Sequence, residues 1–125
     1  MSKNTNIVRI APDKAKFFRY WFEFLQPFHK LPPREMDVIA TFLRERSDLS
    51  AVIRDEDLLD KVVFSEEIKR KVREECGIKA QHFQVIMSKL KKSGIIVNNK
   101  INKKFIPNIE EDAKEFRLIF HFDMQ

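Results

Sequence analysis

The polar and cationic side chains between residues 79 and 92 recur at the spacing of one helix face. At about 100° per residue, the outward face of such a helix carries four side chains: Gln81, Val85, Ser88 and Lys92. Five more precede or flank that face: Lys79, His82, Gln84, Lys89 and Lys91. Amides and hydroxyls can bond to base edges in a major groove, a valine can contact a thymine methyl group, and lysines can contact phosphates. These residue types at this spacing predict a surface that binds double-stranded DNA.

The opposite side of the same helix is apolar, as a helix held on a protein domain requires. Its apolar residues recur at intervals of three and four positions and form one stripe: Phe83, Ile86, Met87 and Leu90. The stripe predicts a helix over residues 79–93 whose back packs on the domain while its front faces outward.

The only two glycines of the chain mark where this helix and the preceding one should end. Ser65 is expected to cap the preceding helix, with two glutamates in the first turn, where the helix dipole favours anions. Gly77 and Gly94 can adopt the left-handed conformation that follows a helix C-terminus. We therefore expect a tight turn at Gly77, and at Gly94 a Schellman motif in which Leu90 and Ile95 form the apolar pair.

The segment after Gly94 predicts a β-hairpin with a cationic turn. Its strands are expected at residues 95–97 and 103–106, joined by a turn at 98–102 and ended by Pro107. The turn and second strand carry three lysines: Lys100, Lys103 and Lys104. These ammonium groups would lie beside the minor groove or the DNA backbone. An ordinary polar hairpin loop is the alternative.

The order of helix, glycine turn, helix and hairpin resembles the winged helix-turn-helix family of DNA-binding domains. The resemblance rests on apolar and glycine positions from the first helix into the hairpin: Ile68, Val72, Cys76, Gly77, Ile78, Phe83, Ile86, Leu90, Gly94, Ile95 and Ile96. Residues 31–40 also look like the opening helix of many bacterial helix-turn-helix regulators. The position that such families usually cap with Ser or Thr holds Lys79 or Ala80 here. The resemblance implies an α+β fold, mainly helical, with the hairpin as the wing.

Positive charge is concentrated in this same part of the chain. The protein has 24 Lys and Arg against 19 Asp and Glu, a net charge of +5. Residues 69–104 hold eleven basic and two acidic residues, a local net charge of +9, whereas the other residues hold 13 basic and 17 acidic residues, or −4. This asymmetry favours a polyanionic partner, although a solvated lysine-rich face has the same composition.

A helix predicted over residues 12–26 and ended by Pro27 is crowded with aromatic rings. Its central stripe is expected to contain Phe17, Trp21, Phe24 and Phe28, and its apolar arc of roughly 200° exceeds the roughly 100° of a surface helix. Either the core surrounds this helix or a second subunit covers it. The candidate interface residues of such a homodimer are Phe18, Tyr20, Trp21 and Phe22. Base stacking by these rings is a less favoured interpretation.

The remaining elements are predicted from caps, turn residues and periodicity: a strand at residues 4–10, a helix at about 31–46, a turn at 47–50, an acidic helix at 55–62, a short helix capped by Asn108 and a strand at 116–124. The acidic helix is interpreted as a solvated face, or as one that repels DNA from its side of the domain. The elements form three parts of one compact domain: residues 1–30 for packing or dimerisation, 31–107 as the winged helix-turn-helix, and 108–125 as a C-terminal helix and strand.

Residues suited to catalysis or metal binding are sparse. His29, His82 and His121 do not lie at metal-ligand spacing from the single cysteine, Cys76. Cys76 and His82 could act as nucleophile and base, but Cys76 falls on a predicted buried face. There is no glycine-rich phosphate loop. We therefore expect a non-catalytic protein with no metal, no cofactor and no small-molecule substrate.

Composition indicates a globular intracellular protein. Of 125 residues, 43% are apolar and 34% charged, the balance of a folded chain rather than a disordered one. No apolar run approaches the roughly 18 residues of a membrane span, and the N-terminus lacks the apolar stretch of a signal peptide. A single cysteine excludes an intramolecular disulfide and fits a reducing compartment. We expect a cytoplasmic protein, in the host cytoplasm if phage-encoded, with no membrane partner.

These observations converge on a non-catalytic protein whose partner is double-stranded DNA, bound by sequence or by shape. A transcription regulator is the first interpretation, and a replication or packaging factor of a phage or mobile element is close behind. The alternative is a protein-interaction module on a winged-helix scaffold, associated with a polymerase or virion, with the aromatic helix as its docking site.

Overall fold

A computed structural model describes residues 14–107 and residue 123. The predicted strand at 4–10, the helix capped by Asn108 and the strand at 116–124 lie outside the described residues.

Residues 14–107 form a mainly helical α+β structure with one small antiparallel hairpin. In chain order its elements are α1 (Lys14–Phe24), α2 (Gln26–His29), α3 (Pro33–Ser50), α4 (Glu56–Val63), α5 (Glu66–Glu75), α6 (Ala80–Lys92), β1 (Ile96–Val97), β2 (Lys100–Ile101) and a 3₁₀ helix (Lys103–Phe105). The predicted helices at 55–62, 65–77 and 79–93 are thus confirmed to within a residue or two at each end.

The longest helix, α3, lies at the centre of the core and contacts α1, α4, α5 and α6. Its buried side chains recur at three- and four-residue intervals, the pattern of a helix covered over much of its surface. Phe42 is fully buried, with its ring centroid 5.0 Å from that of Phe64 and 6.2 Å from that of Phe83. This one residue therefore joins α3 to the α4–α5 connection and to the back of α6.

Two helix ends differ from the predictions. The turn expected at residues 47–50 is wrong: these residues form the last turn of α3, where Leu49 packs against the core and neither glycine nor proline interrupts the hydrogen-bond ladder. Near Pro27, α1 already ends at Phe24, and Pro27 then lies in the first turn of α2, where its missing N–H is tolerated.

The hairpin is tighter than predicted. Asn98 and Asn99 both have positive φ, 53° and 60°, which makes a two-residue type I′ turn between β1 and β2. The strand predicted at residues 103–106 is therefore wrong, because the second strand ends at Ile101. Asn102 then caps the 3₁₀ helix by accepting from the N–H of Lys104.

The aromatic helix packs mainly into the core of the single chain. Phe18, Trp21 and Phe22 are 3%, 8% and 0% exposed, so these side chains offer no surface to a second subunit and their assignment to a dimer interface is wrong. Tyr20 is only partly buried. The expected central stripe is also misplaced. The buried side chains of this helix are those of residues 18, 21 and 22, and Phe24, which was assigned to the stripe, is 45% exposed.

Candidate nucleic-acid interface

The structure holds α6 by its apolar stripe and leaves its other sides in solvent. Phe83, Ile86, Met87 and Leu90 are 7% exposed or less. The predicted base-reading and phosphate-binding residues on and around this helix are all exposed: Lys79, Gln81, His82, Gln84, Val85, Ser88, Lys89, Lys91 and Lys92. Helical periodicity therefore sorted the buried side chains of α6 from the exposed ones correctly.

One glycine turn ends α5 just before α6, and a second ends α6 itself. Gly77 has φ of +64°, and the N–H of Ile78 donates to the carbonyl oxygen of Arg73 over 3.0 Å. Gly94 has φ of +81°, and the N–H of Ile95 donates to the carbonyl oxygen of Leu90 over 3.1 Å. Both are the six-to-one bonds of Schellman motifs, so the predicted helix endings are confirmed.

The first turn of α6 is uncapped, unlike those of the two preceding helices. Asp55 caps α4 by accepting the N–H groups of Asp57 and Leu58, and Ser65 caps α5 by accepting that of Ile68. Both helices have acidic residues in the first turn. Lys79 makes no such bond, and the first turn of α6 contains no acid. The partial positive charge of the helix start is therefore not offset by a neighbouring carboxylate.

The lysines of α6 and of its N-cap lack an acidic partner among the described residues. Among residues 14–107, none of these lysines forms an ion pair with another described residue: Lys79, Lys89, Lys91 and Lys92. By contrast, Lys69 pairs with Glu66 at 3.7 Å and Lys71 with Glu45 at 3.1 Å on α5 and α3. The exposed face of α6 thus carries cations that no described carboxylate offsets, although Arg70 and Arg73 of α5 also form no ion pair with another described residue.

The lysines of β2 and of the 3₁₀ helix that follows it are called the hairpin lysines below, and two of the three are already paired with acids of α4. Lys100 Nζ lies 3.5 Å from a carboxylate oxygen of Asp57, and Lys103 Nζ lies 4.0 Å from one of Glu56. Lys104 is exposed and forms no ion pair within residues 14–107. The acidic helix therefore does not lie on a remote side of the domain, as one interpretation of the sequence had it, but beside the hairpin.

An ion-pair network that the sequence did not reveal joins α3 to α5. The guanidinium of Arg44 makes a bidentate contact with Glu75 and also reaches Glu45 at 3.1 Å. This hydrogen bonding lowers the pKa of Glu75 below its usual range. Arg34 adds a 2.7 Å bond to the carbonyl oxygen of Cys76, immediately before the α5–α6 turn. The contacts fasten α5, and with it the turn that leads into α6, to α3.

Cys76 and His82 are not hydrogen-bonded to each other as a nucleophile and its base would be. The Cys76 thiol lies 3.5 Å from Thr41 Oγ1 and 3.8 Å from the carbonyl oxygen of Asp37, while the His82 side chain is exposed. Burial raises the pKa of the thiol, which keeps it protonated and a weak nucleophile. Within residues 14–107, no three His, Cys, Asp or Glu side chains are grouped so that they could hold a metal ion.

None of the helices in the described part of the chain has both the length and the apolar character needed to cross a bilayer. No family model, curated protein or solved structure matches the chain.

Proposed function

We propose that this protein binds double-stranded DNA without catalysing a reaction, by placing α6 in the major groove and the hairpin against the flanking backbone as the wing of a winged helix-turn-helix. The observation that carries the proposal is the outward face of α6, where polar and cationic side chains are exposed together and its lysines lack acidic partners within residues 14–107. No cofactor or small-molecule substrate is part of the proposal.

The residues divide by chemistry between reading bases and holding phosphates. Gln81 and Ser88 lie at the centre of the outward face, where an amide and a hydroxyl can bond to base edges. Lys91 and Lys92 lie in the last turn of α6, where a cation is also favoured by the helix dipole. Phosphate contacts position a protein without reading sequence, so these lysines would supply affinity and Gln81 selectivity.

Biologically, such a protein would act as a transcription regulator, or as a replication or packaging factor of a phage or mobile element. The alternative is a module that docks protein partners through the aromatic helix. Phe18, Trp21 and Phe22 are core residues of the single chain and would not serve it, whereas Phe24 and Phe28 are exposed and would be its docking residues.

A salt titration of duplex binding tests the proposal. Affinities for a random duplex and for single-stranded DNA would be measured by fluorescence anisotropy across a range of salt concentrations. We expect duplex affinity to fall steeply with salt. The slope of log affinity against log salt concentration should be about −0.9 for each phosphate neutralised. The double variant K91Q/K92Q should weaken binding to every duplex roughly tenfold and flatten the slope by about one unit per lysine.

The control variant K30Q/K61Q removes the same charge from exposed lysines outside α6 and the hairpin. It should bind duplex nearly as the wild type does. Equal effects of the two double variants, or binding that ignores salt, would show that α6 is not the DNA-binding surface.

A further inference from the structure

On the premise that α6 and the hairpin bind DNA, we infer that the acidic first turn of α4 competes with DNA phosphates for the hairpin lysines and so limits the affinity. Glu56 and Asp57 are the competing carboxylates, and Lys103 and Lys100 are the cations they hold. Glu56 is shared with Arg46, whose guanidinium lies 3.7 Å from the same carboxylate oxygen. The hairpin then contributes its full charge only when phosphates have displaced these carboxylates.

Helix α4 and the hairpin are held next to each other by the packing of apolar side chains and not by attraction between their charges. Helix α4 is fixed by the buried side chains of Leu59 and Val63 and by its cap at Asp55. The hairpin is fixed by Ile96 and Ile101, which lie opposite each other in register and are both 3% exposed. The carboxylates therefore stay beside the lysines whether or not an ion pair is formed.

The hairpin is also tied to the end of α6, so the two elements hold a fixed position relative to each other. The side-chain amide of Asn102 donates to the carbonyl oxygen of Gly94 over 3.0 Å, and its backbone N–H donates to that of Ile95 over 2.8 Å. On the premise stated above, DNA that contacts both elements meets the hairpin lysines together with their carboxylates.

The ion pairs are weak enough to be exchanged. Asp57 and Lys103 have side chains more than 80% exposed, and Glu56 and Lys100 are at least half exposed. Ion pairs in such positions add little net stability because water and salt screen them. A lysine can therefore move from carboxylate to phosphate without any rearrangement of the backbone, while each carboxylate left beside the DNA continues to repel it.

The test compares two double variants that remove the same charges from the same helix positions. E56Q/D57N neutralises the first two residues of α4, and E66Q/E67Q neutralises the first two residues of α5. Glu66 pairs with Lys69, which is not among the proposed DNA-binding residues. Duplex affinity would be measured across a salt series, and thermal unfolding would establish that each variant is folded. D57N alone serves as the milder variant.

We expect E56Q/D57N to bind duplex about three- to tenfold more tightly than the wild type at roughly 50 mM salt, with a slope steeper by up to about two units. E66Q/E67Q should change affinity by less than about twofold. In a K100Q/K103Q background the gain from E56Q/D57N should largely disappear, because the competed cations are gone.

Two outcomes overturn the inference alone: no gain in E56Q/D57N while K91Q/K92Q still weakens binding, or an equal gain in the presence and absence of the hairpin lysines. If the wild type shows no salt-dependent duplex binding, or if K91Q/K92Q binds as well as the wild type, the proposed function is wrong. The inference is then wrong as well, because it depends on that function.

Discussion

The indole N–H of Trp21 donates a 2.8 Å hydrogen bond to the backbone carbonyl oxygen of Phe105. The bond joins the first described helix to the 3₁₀ helix that follows the hairpin. The ring of Phe105 reinforces the junction, with its centroid 6.3 Å from those of Phe22 and of His29. The aromatic helix thus supports the hairpin end of the candidate interface from within the same chain.

Replacing Trp21 with Phe should destabilise the fold by about 1–3 kcal/mol, because it leaves the Phe105 carbonyl without its donor and a small cavity beside it. Urea unfolding followed by circular dichroism measures the effect, since the substitution removes the only tryptophan. Phe24→Leu, at a 45% exposed position on the same helix, should stay within about 0.5 kcal/mol of the wild type. Equal losses in the two variants would contradict the structural role given to the indole.

Gly94→Ala should cost about 1–2 kcal/mol of stability through backbone strain alone. A Cβ at this position meets no atom within 4 Å, but the φ of +81° is unfavourable for any residue that carries one. Gly94→Asn should lose less, because asparagine tolerates left-handed conformations better than alanine. Denaturant midpoints of the two variants test this order, and a stability of Gly94→Ala equal to that of the wild type would refute it.

The free energy of unfolding should decline as pH falls below about 6.5, because His29 is held neutral in the folded state. The imidazole Nδ1 accepts the N–H of Leu31 over 2.9 Å, and Nε2 lies 2.7 Å from the carbonyl oxygen of Phe22, so the ring is held in its neutral form. Burial, helped by the charge of Arg19, lowers the pKa of His29.

The direction of the effect follows from proton uptake. With the pKa lowered in the folded state, the unfolded chain binds the proton first as pH falls, so stability is lost below the unfolded pKa and the loss is complete below the folded one. Unfolding free energies measured between pH 5 and pH 7.5 should show this loss in the wild type and in His82→Gln, but much less of it in His29→Gln. A profile for His29→Gln that parallels the wild type would disprove the assignment.

Gln81→Ala should relax the sequence preference of duplex binding, by about 1–3 kcal/mol of discrimination at the base pair it contacts. Gln26→Ala is the control, because Gln26 is an exposed glutamine of α2 that lies outside the candidate interface. Selection from a random duplex library would compare the preferences of both variants with that of the wild type. Unchanged selectivity in Gln81→Ala would remove Gln81 from the base-reading set.

Much of the candidate interface was predictable because its signals are local. The three- and four-residue spacing of Phe83, Ile86 and Leu90 determines which side of α6 can be buried, and glycine at 77 and 94 determines where helices can end. The hairpin turn was misplaced for a related reason: Asn98 and Asn99 can both take left-handed conformations, so two residues suffice where five were expected.

The aromatic helix shows where local signals fail. Rings covering most of a helix do not reveal which of them face the core, because several rotations of the helix would each bury a similar apolar area. Packing against α3, with Arg19 paired to Asp37 at 2.6 Å, selects the rotation that buries Phe18 and Phe22 and exposes Phe24.

The sequence by itself determined the helical character of the chain, the buried and exposed sides of α6, and the concentration of positive charge between residues 69 and 104. Only the tertiary structure decided which of those charges meet an acid. Helical spacing relates residues a few positions apart, whereas the approach of Asp57 to Lys100 depends on how α4 and the hairpin pack against the same core. The sequence gives the net charge of a segment, whereas the fold determines which charged side chains a polyanion would meet at the surface.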